Sequence, residues 1–210
     1  LQAFLEANDI LTLFDNIDYI DPFSGSKMVY IDNAIIYFKK ETVIFILNQL
    51  KELNCRHLEI RIKNLDDSFD ILRMIDYLAE GNYETITIYS EVYFDYSKLL
   101  THLNNLVVLI FFNFLTDSLE YSKNVKYIKT KLDDNCCGKI NLDSFISNPR
   151  FVSLAKNMNS CLAFKISVDK DGNIKNCPSM TQNYGNIRDT TLKQAMSHPD
   201  FKKYWNIKKD

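Results

Sequence analysis

Two cysteines near the end of the chain have a spacing that favours metal chemistry. Ten residues separate Cys161 from Gly172, and four more separate Gly172 from Cys177. Asp171-Gly172 is a tight-turn sequence between two short segments of strand character, so we predict a β-hairpin with one cysteine at each end. The turn brings both thiols to the same end of the hairpin. Thiolates held in this way suit a tetrahedral metal ion or an iron–sulfur cluster, which takes four soft ligands.

Two thiols are only half of such a site, and a simpler interpretation stays open. Cys161 and Cys177 would then be small buried hydrophobic residues at strand ends. The other cysteines are Cys55, Cys136 and Cys137. Five is an odd number and no signal-peptide pattern is visible, so we do not expect a disulfide framework. The prediction is a cytoplasmic protein whose thiols are free or bound to metal.

The segments that must position the hairpin alternate between strand and helix patterns. Apolar runs and two-residue alternation predict strands, whereas apolar residues three or four apart predict helices. Such alternation favours right-handed βαβ crossovers and a mostly parallel sheet, the α/β class. The units are short, so we expect a curved, partial barrel rather than a leucine-rich solenoid, whose consensus is absent. The predicted strands are residues 28–38, 57–62, 83–89, 106–114, 125–128, 164–168 and 173–177; the predicted helices are 41–53, 69–78 (ended by Gly81 as its C′ residue), 96–103 and one beginning at Leu192.

The composition is that of a folded domain and excludes several kinds of partner. Hydrophobic residues make up 46% of the chain and charged residues 25%, which rules out wholesale disorder. The net charge of −2 gives no electrostatic footprint for nucleic acid or an anionic membrane. The most apolar run, Leu106–Phe112, is far shorter than the roughly 20 residues of a membrane-spanning helix.

Changes in composition and hydrophobic pattern along the chain divide it into three regions. We interpret residues 1–28 as the tail of an upstream region, residues 29–135 as the partial barrel, and residues 136–210 as a cysteine-bearing segment. The chain begins without methionine and ends without a capping signal, so we expect it to be a piece of a longer polypeptide.

The C-terminal region resembles the start of a SPASM domain, the cysteine-rich extension of radical SAM peptide-modifying enzymes. That domain opens with a cysteine, nine to fifteen residues, a glycine, four residues and a second cysteine, and Cys161, Gly172 and Cys177 fit this pattern. Over residues 136–210 the chain looks like the SPASM-domain peptide maturases of the grasp-with-spasm system. The likeness is carried by Cys137-Gly138 and by the stretches CLAFKISVD (161–169), KNCPSM (175–180), YGNIRDTTL (184–192) and PDFKKYW (199–205).

This resemblance implies a function in the maturation of a ribosomally synthesised peptide. The family works beside an ATP-grasp ligase on a small precursor peptide, so the ligase and the precursor are the implied partners. Cys161 and Cys177 would be two ligands of an auxiliary [4Fe–4S] cluster, completed by cysteines beyond Asp210.

The two motifs that bind S-adenosylmethionine in this family do not occur at the expected places in this sequence. A CxxxCxxC motif would follow the first strand, where this chain has Phe38-Lys39-Lys40-Glu41. A Gly-Gly-Glu turn would follow the next strand, where it has Lys63–Asp67. We therefore expect a degenerate, radical-SAM-like barrel without radical chemistry, and we identify no catalytic and no cofactor-binding residue.

Other interpretations rest on the residues alone. One is a zinc-stabilised α/β interaction module with no catalytic role, in which Cys161 and Cys177 contribute to a Zn²⁺ site; another is a plain α/β domain with inert thiols. We expect structural roles for His57 and His102 and solvated turns at Asp66-Asp67 and Asp133-Asp134. An extended peptide would add to an exposed sheet edge, at residues 125–130 or at the hairpin.

Overall fold

The computed structural model describes residues 31–65, 71–114, 124–132, 155 and 158–207 of the chain. Its strands are β1 (Asn33–Tyr37), β2 (His57–Ile62), β3 (Thr85–Ser90), β4 (Leu106–Phe111), β5 (Val125–Tyr127), β6 (Lys165–Val168) and β7 (Ile174–Lys175). Its helices are α1 (Val43–Glu52), α2 (Ile71–Ala79), α3 (Ser97–His102) and α4 (Leu192–Met196).

The seven strands form one sheet in the order β5-β4-β3-β2-β1-β6-β7. The first five strands are parallel neighbours in chain order, β6 lies parallel to β1 on its other side, and β7 is antiparallel to β6. The α/β class and the mostly parallel sheet are therefore confirmed. β5 and β7 end the strand order, and over the described strands the sheet does not close into a barrel.

The described helices lie in one layer because the strand order from β1 to β5 never reverses. Right-handed crossovers that always advance in one direction place every connecting helix on the same face of the sheet. In agreement, α1 packs against α2, α2 against α3, and α4 against α1. The strand side chains beneath this layer form the core: Ala34, Ile36, Leu58, Ile60, Ile86, Ile88, Leu109, Phe111, Ile166 and Val168.

The second face of the sheet is more polar. It carries Thr85, Thr87 and Tyr89 of β3, which are only partly buried and alternate with the core residues of that strand. Arg61 of β2 is 7% exposed and is neutralised by Glu59, whose Oε1 accepts a bond of 2.6 Å from Nε. Burial on its own would lower the pKa of Arg61, but the charge of Glu59 and the hydroxyl of Tyr37 raise it, so this guanidinium stays charged.

The C-terminal segment covers the outer side of the cysteine hairpin. Ile174 of β7 donates its N–H to the carbonyl of Gly185 and accepts from the N–H of Tyr184. The hairpin edge is therefore already paired, and the expectation that it lies open to a peptide is wrong. β5 remains the last strand on the other side of the sheet.

Gly81 has a different role from the one predicted. It does follow α2, but its backbone is not in the left-handed conformation of a helix-ending glycine. A Cβ at this position would overlap the ring of Tyr83, a buried residue. Gly81 is thus needed for the close approach of the Tyr83 ring.

Candidate metal centre

The predicted hairpin is present, and its turn is tightly organised. Ser167 pairs with Lys175 and Val168 with Ile174. Gly172 has a φ of 85°, a conformation that favours glycine, and its N–H donates to the carbonyl of Asp169. The Asp171-Gly172 turn therefore folds the chain back as the sequence indicates.

Both candidate ligands lie at the end of the hairpin opposite this turn. Cys161 precedes β6 in a compact turn in which Leu162 and Ala163 donate their N–H groups to the carbonyl of Asn159. Cys177 follows β7 by two residues. The two cysteine segments therefore share this end of the hairpin.

The two thiols have different surroundings. Cys161 is exposed, and its N–H donates to Oδ1 of Asn159 over 3.1 Å. Cys177 is buried, and its sulfur lies 3.9 Å from the hydroxyl oxygen of Ser179, a hydrogen-bond distance for sulfur. Both are free thiols.

The cysteine end of the hairpin lies at the amino edge of the sheet, where the parallel strands begin. β6 runs parallel to β1, so the Asp171-Gly172 turn lies at the carboxyl edge with the ends of β1 to β5. The cysteines lie beyond the start of β6, beside the start of β1. β6 has four residues and spans about 13 Å, so at least that length separates the cysteine end from the carboxyl edge, where ligands of open α/β sheets usually bind.

A strained residue fixes this position. Phe164, which joins the Cys161 turn to β6, has a φ of 55°, an unusual conformation for an aromatic residue. Its carbonyl accepts the N–H of Asp32 at 2.8 Å and of Asn33 at 3.3 Å. These bonds tie the cysteine turn to the start of β1, and they are part of what holds Phe164 in this conformation.

Cys55 is separate from this pair. It is 2% exposed, and burial, followed by the negative charge of Asp32, raises its pKa to about 12. Its thiol lies 3.5 Å from the carbonyl of His57. A neutral buried thiol is a poor ligand and a poor nucleophile.

The predicted histidine roles are also confirmed. His57 Nδ1 lies 2.8 Å from the Thr85 hydroxyl, and His102 Nδ1 lies 2.9 Å from the carbonyl of Lys98. Both rings therefore have structural partners. Outside the described residues lie Asp66-Asp67, Asp133-Asp134, Cys136 and Cys137.

The donor set fits part of a soft-metal site. Within the described ranges, no three or more His, Cys, Asp or Glu side chains come together so that they could hold a metal ion. The thiols of Cys161 and Cys177 are the right chemical type for zinc or an iron–sulfur cluster, and together they would be two of the four ligands that such a site needs.

Comparisons of this chain with protein-family models, with curated proteins and with solved structures find no match. Among the helices that the structure describes, none has the length and apolar character needed to cross a membrane.

Proposed function

We propose that this chain is a maturation protein for a ribosomally synthesised peptide, with a SPASM-type hairpin that holds part of an iron–sulfur cluster. The observation that carries the proposal is the register of β6 and β7, which brings the segments of Cys161 and Cys177 to one end of a hairpin anchored in the main sheet. The partners in this proposal are a precursor peptide and an ATP-grasp ligase.

Cys161 and Cys177 would hold a [4Fe–4S] cluster as thiolates, with further ligands from outside the described residues. When bound, such a cluster supplies an electron-transfer centre and a covalent brace between its ligands. At the amino edge of the sheet it would not contact a peptide held at the carboxyl edge. Its support for the proposed function is therefore to fix the C-terminal segment against β1, through β6 and Phe164.

The rest of the domain supports a presenting role better than radical chemistry. The loop from Tyr37 to Val43 contains two lysines and no cysteine, so it offers no three-thiol site for the cluster that cleaves S-adenosylmethionine. We propose a radical-SAM-like sheet that has lost this reaction and retains its peptide-binding use. β5 is the edge strand on which an extended peptide would add, pairing its backbone with the strand.

Anaerobic reconstitution of the protein with iron and sulfide tests the cluster. The expected result is a brown protein whose iron and sulfide content falls in both Cys161→Ser and Cys177→Ser. Cys55→Ser is the matched control, because this thiol is buried and held neutral. A colourless protein that binds one Zn²⁺ through the same two thiols would favour the zinc-stabilised module instead. Metal content unchanged by either substitution would overturn the site.

Titration calorimetry tests the partners. Peptide addition to a short edge strand is a modest, partly polar contact, for which micromolar affinity is typical. We expect binding of the precursor peptide or the ligase at this level, and loss of peptide binding when Val125 on β5 is replaced by proline, which disrupts strand pairing. If neither partner binds the reconstituted protein, the presenting role is wrong.

A further inference from the structure

Trp205 is the single tryptophan of the chain, and it hydrogen-bonds to both cysteine-bearing segments. Its backbone carbonyl accepts the N–H of Asn159, two residues before Cys161, over 2.8 Å. Its indole Nε1 donates to Oδ1 of Asn176, the residue before Cys177, also over 2.8 Å. One residue thus bonds to a position beside each of the two candidate ligands.

The indole bond is fully buried and has little freedom to rearrange. Trp205 is 5% exposed and Asn176 is 0% exposed. The amide nitrogen of Asn176 donates to the carbonyl of Phe201 over 2.9 Å. Both the oxygen and the nitrogen of the Asn176 side chain therefore bond to the C-terminal turn, residues 199–206. The Trp205 ring also packs at 5.1 Å from the ring of Phe164, the strained residue that follows the Cys161 turn.

We infer that Trp205 and Asn176 are positioning residues for the Cys161–Cys177 pair. Neither is a ligand; Trp205 holds the two ligand-bearing segments at a fixed separation, and Asn176 receives its indole N–H. This inference rests on the proposed metal site. It adds that metal binding and docking of the C-terminal turn favour each other by the same factor, since coupling between two sites is reciprocal.

Cobalt(II) is the probe for the test, because thiolate-to-cobalt charge-transfer absorption reports thiol ligation directly. Trp205→Phe keeps an aromatic ring at this position and removes the indole donor. One buried hydrogen bond is worth about 1 kcal/mol, so Co²⁺ should bind this variant about five-fold more weakly. Asn176→Leu loses two bonds and should lose more. The double variant should resemble Asn176→Leu alone, because both substitutions remove the same indole bond.

Tyr204→Phe is the matched control. Its hydroxyl donates to Oε1 of Gln182 over 3.4 Å, a bond from the same turn that reaches neither Asn159 nor Asn176. We expect its Co²⁺ affinity to stay within about two-fold of the parent, since a single bond away from the pair is removed. Equal losses in Tyr204→Phe and Trp205→Phe would overturn the inference and indicate general destabilisation.

A measurement on the unaltered protein covers the case of variants that fail to fold. Trp205 fluorescence should fall during the Co²⁺ titration with the same midpoint as the charge-transfer band, because the ion binds beside the residues that Trp205 contacts. Unchanged fluorescence at saturation would overturn the inference. Co²⁺ binding that survives in both Cys161→Ser and Cys177→Ser would instead overturn the proposed metal site, so the two failures are distinguishable.

Discussion

Replacing Asp169 with asparagine removes one negative charge from the turn between β6 and β7 while preserving the size of the side chain. In the parent protein, Oδ1 of Asp169 accepts the N–H groups of Asp171 and Asn173, both at 2.9 Å. Oδ2 accepts the Lys175 ammonium at 2.8 Å and the Asn173 side-chain amide at 3.2 Å. Four donors therefore converge on one carboxylate.

An asparagine can keep only the half of this network that its carbonyl oxygen accepts. Its NH₂ group then faces the donors of Lys175 and Asn173, so both bonds on that side are lost. Both lost bonds end on an ionised carboxylate, and a hydrogen bond to a charged group contributes about 1.5–3 kcal/mol. The side chains of Asp169 and Lys175 are only 10% and 13% exposed, so water replaces these bonds poorly. We expect the free energy of unfolding to fall by about 3–6 kcal/mol.

The effect should depend on pH in a defined direction. Burial by itself would raise the pKa of Asp169, but the bonds from Lys175, Asn173 and Asp171 outweigh it and lower the pKa below its ordinary value. The stability that the charged form contributes is present above the unfolded-state pKa of about 3.9. It is lost as the pH falls through the lower folded-state value. The difference between parent and Asp169→Asn should therefore shrink below about pH 4.

Urea unfolding followed by Trp205 fluorescence is the assay, since this buried tryptophan lies in the C-terminal turn and becomes exposed on unfolding. Asp171→Asn is the control: it makes the same charge change at an exposed position two residues away, and a change within about 0.5 kcal/mol is expected. The reasoning is refuted if both variants are equally stable at pH 7. It is also refuted if the Asp169→Asn deficit stays constant on acidification.

Three further outcomes are expected. In a protein carrying C136S and C137S, phenylarsine oxide should bridge Cys161 and Cys177 through two As–S bonds with loss of one water; a mass spectrum showing no adduct would mean that the thiols do not converge. The reduced, reconstituted protein should form no 5′-deoxyadenosine from S-adenosylmethionine, and clear turnover by chromatography would contradict the proposed loss of radical chemistry. Gly81→Ala should lower the urea midpoint by an amount equivalent to about 1–3 kcal/mol, because its Cβ overlaps the Tyr83 ring; an unchanged midpoint would show that this ring moves freely.

Local patterns in the sequence predicted most elements because their causes are local. The alternation of His57–Ile62 predicts β2 at its observed bounds. α4 begins at Leu192 as predicted, where the Thr191 side chain and Gln194 form a reciprocal capping box. The hairpin turn follows from Asp171-Gly172 and the conformation that glycine adopts there.

Contacts between distant parts of the chain could not be predicted in this way. No local pattern indicates that β6 pairs with β1 across more than a hundred residues, yet this pairing places the cysteines at the amino edge. The partnership of Trp205 with Asn176 joins residues 29 positions apart and leaves no periodicity to detect. The one available signal was that the chain has a single tryptophan, which lies in the same C-terminal region of the sequence as Cys161 and Cys177. Gly81 was misassigned because a glycine after a helix ordinarily ends it, and the approach of Tyr83 is a packing effect.

The position of the cysteine pair at the amino edge of the sheet limits which parts of the protein a cluster bound there could contact. Because β6 is parallel to β1, the hairpin separates its two ends across the sheet, with the Asp169 network at the carboxyl edge and the thiols at the amino edge. A group bound by Cys161 and Cys177 therefore lies beside the C-terminal turn and the start of β1, where Phe164 and Trp205 already join these segments. Its direct effect would be on how firmly that segment docks. Peptide binding, at β5 or at the carboxyl edge, would respond to the cluster through the stability of the whole sheet rather than by contact with it.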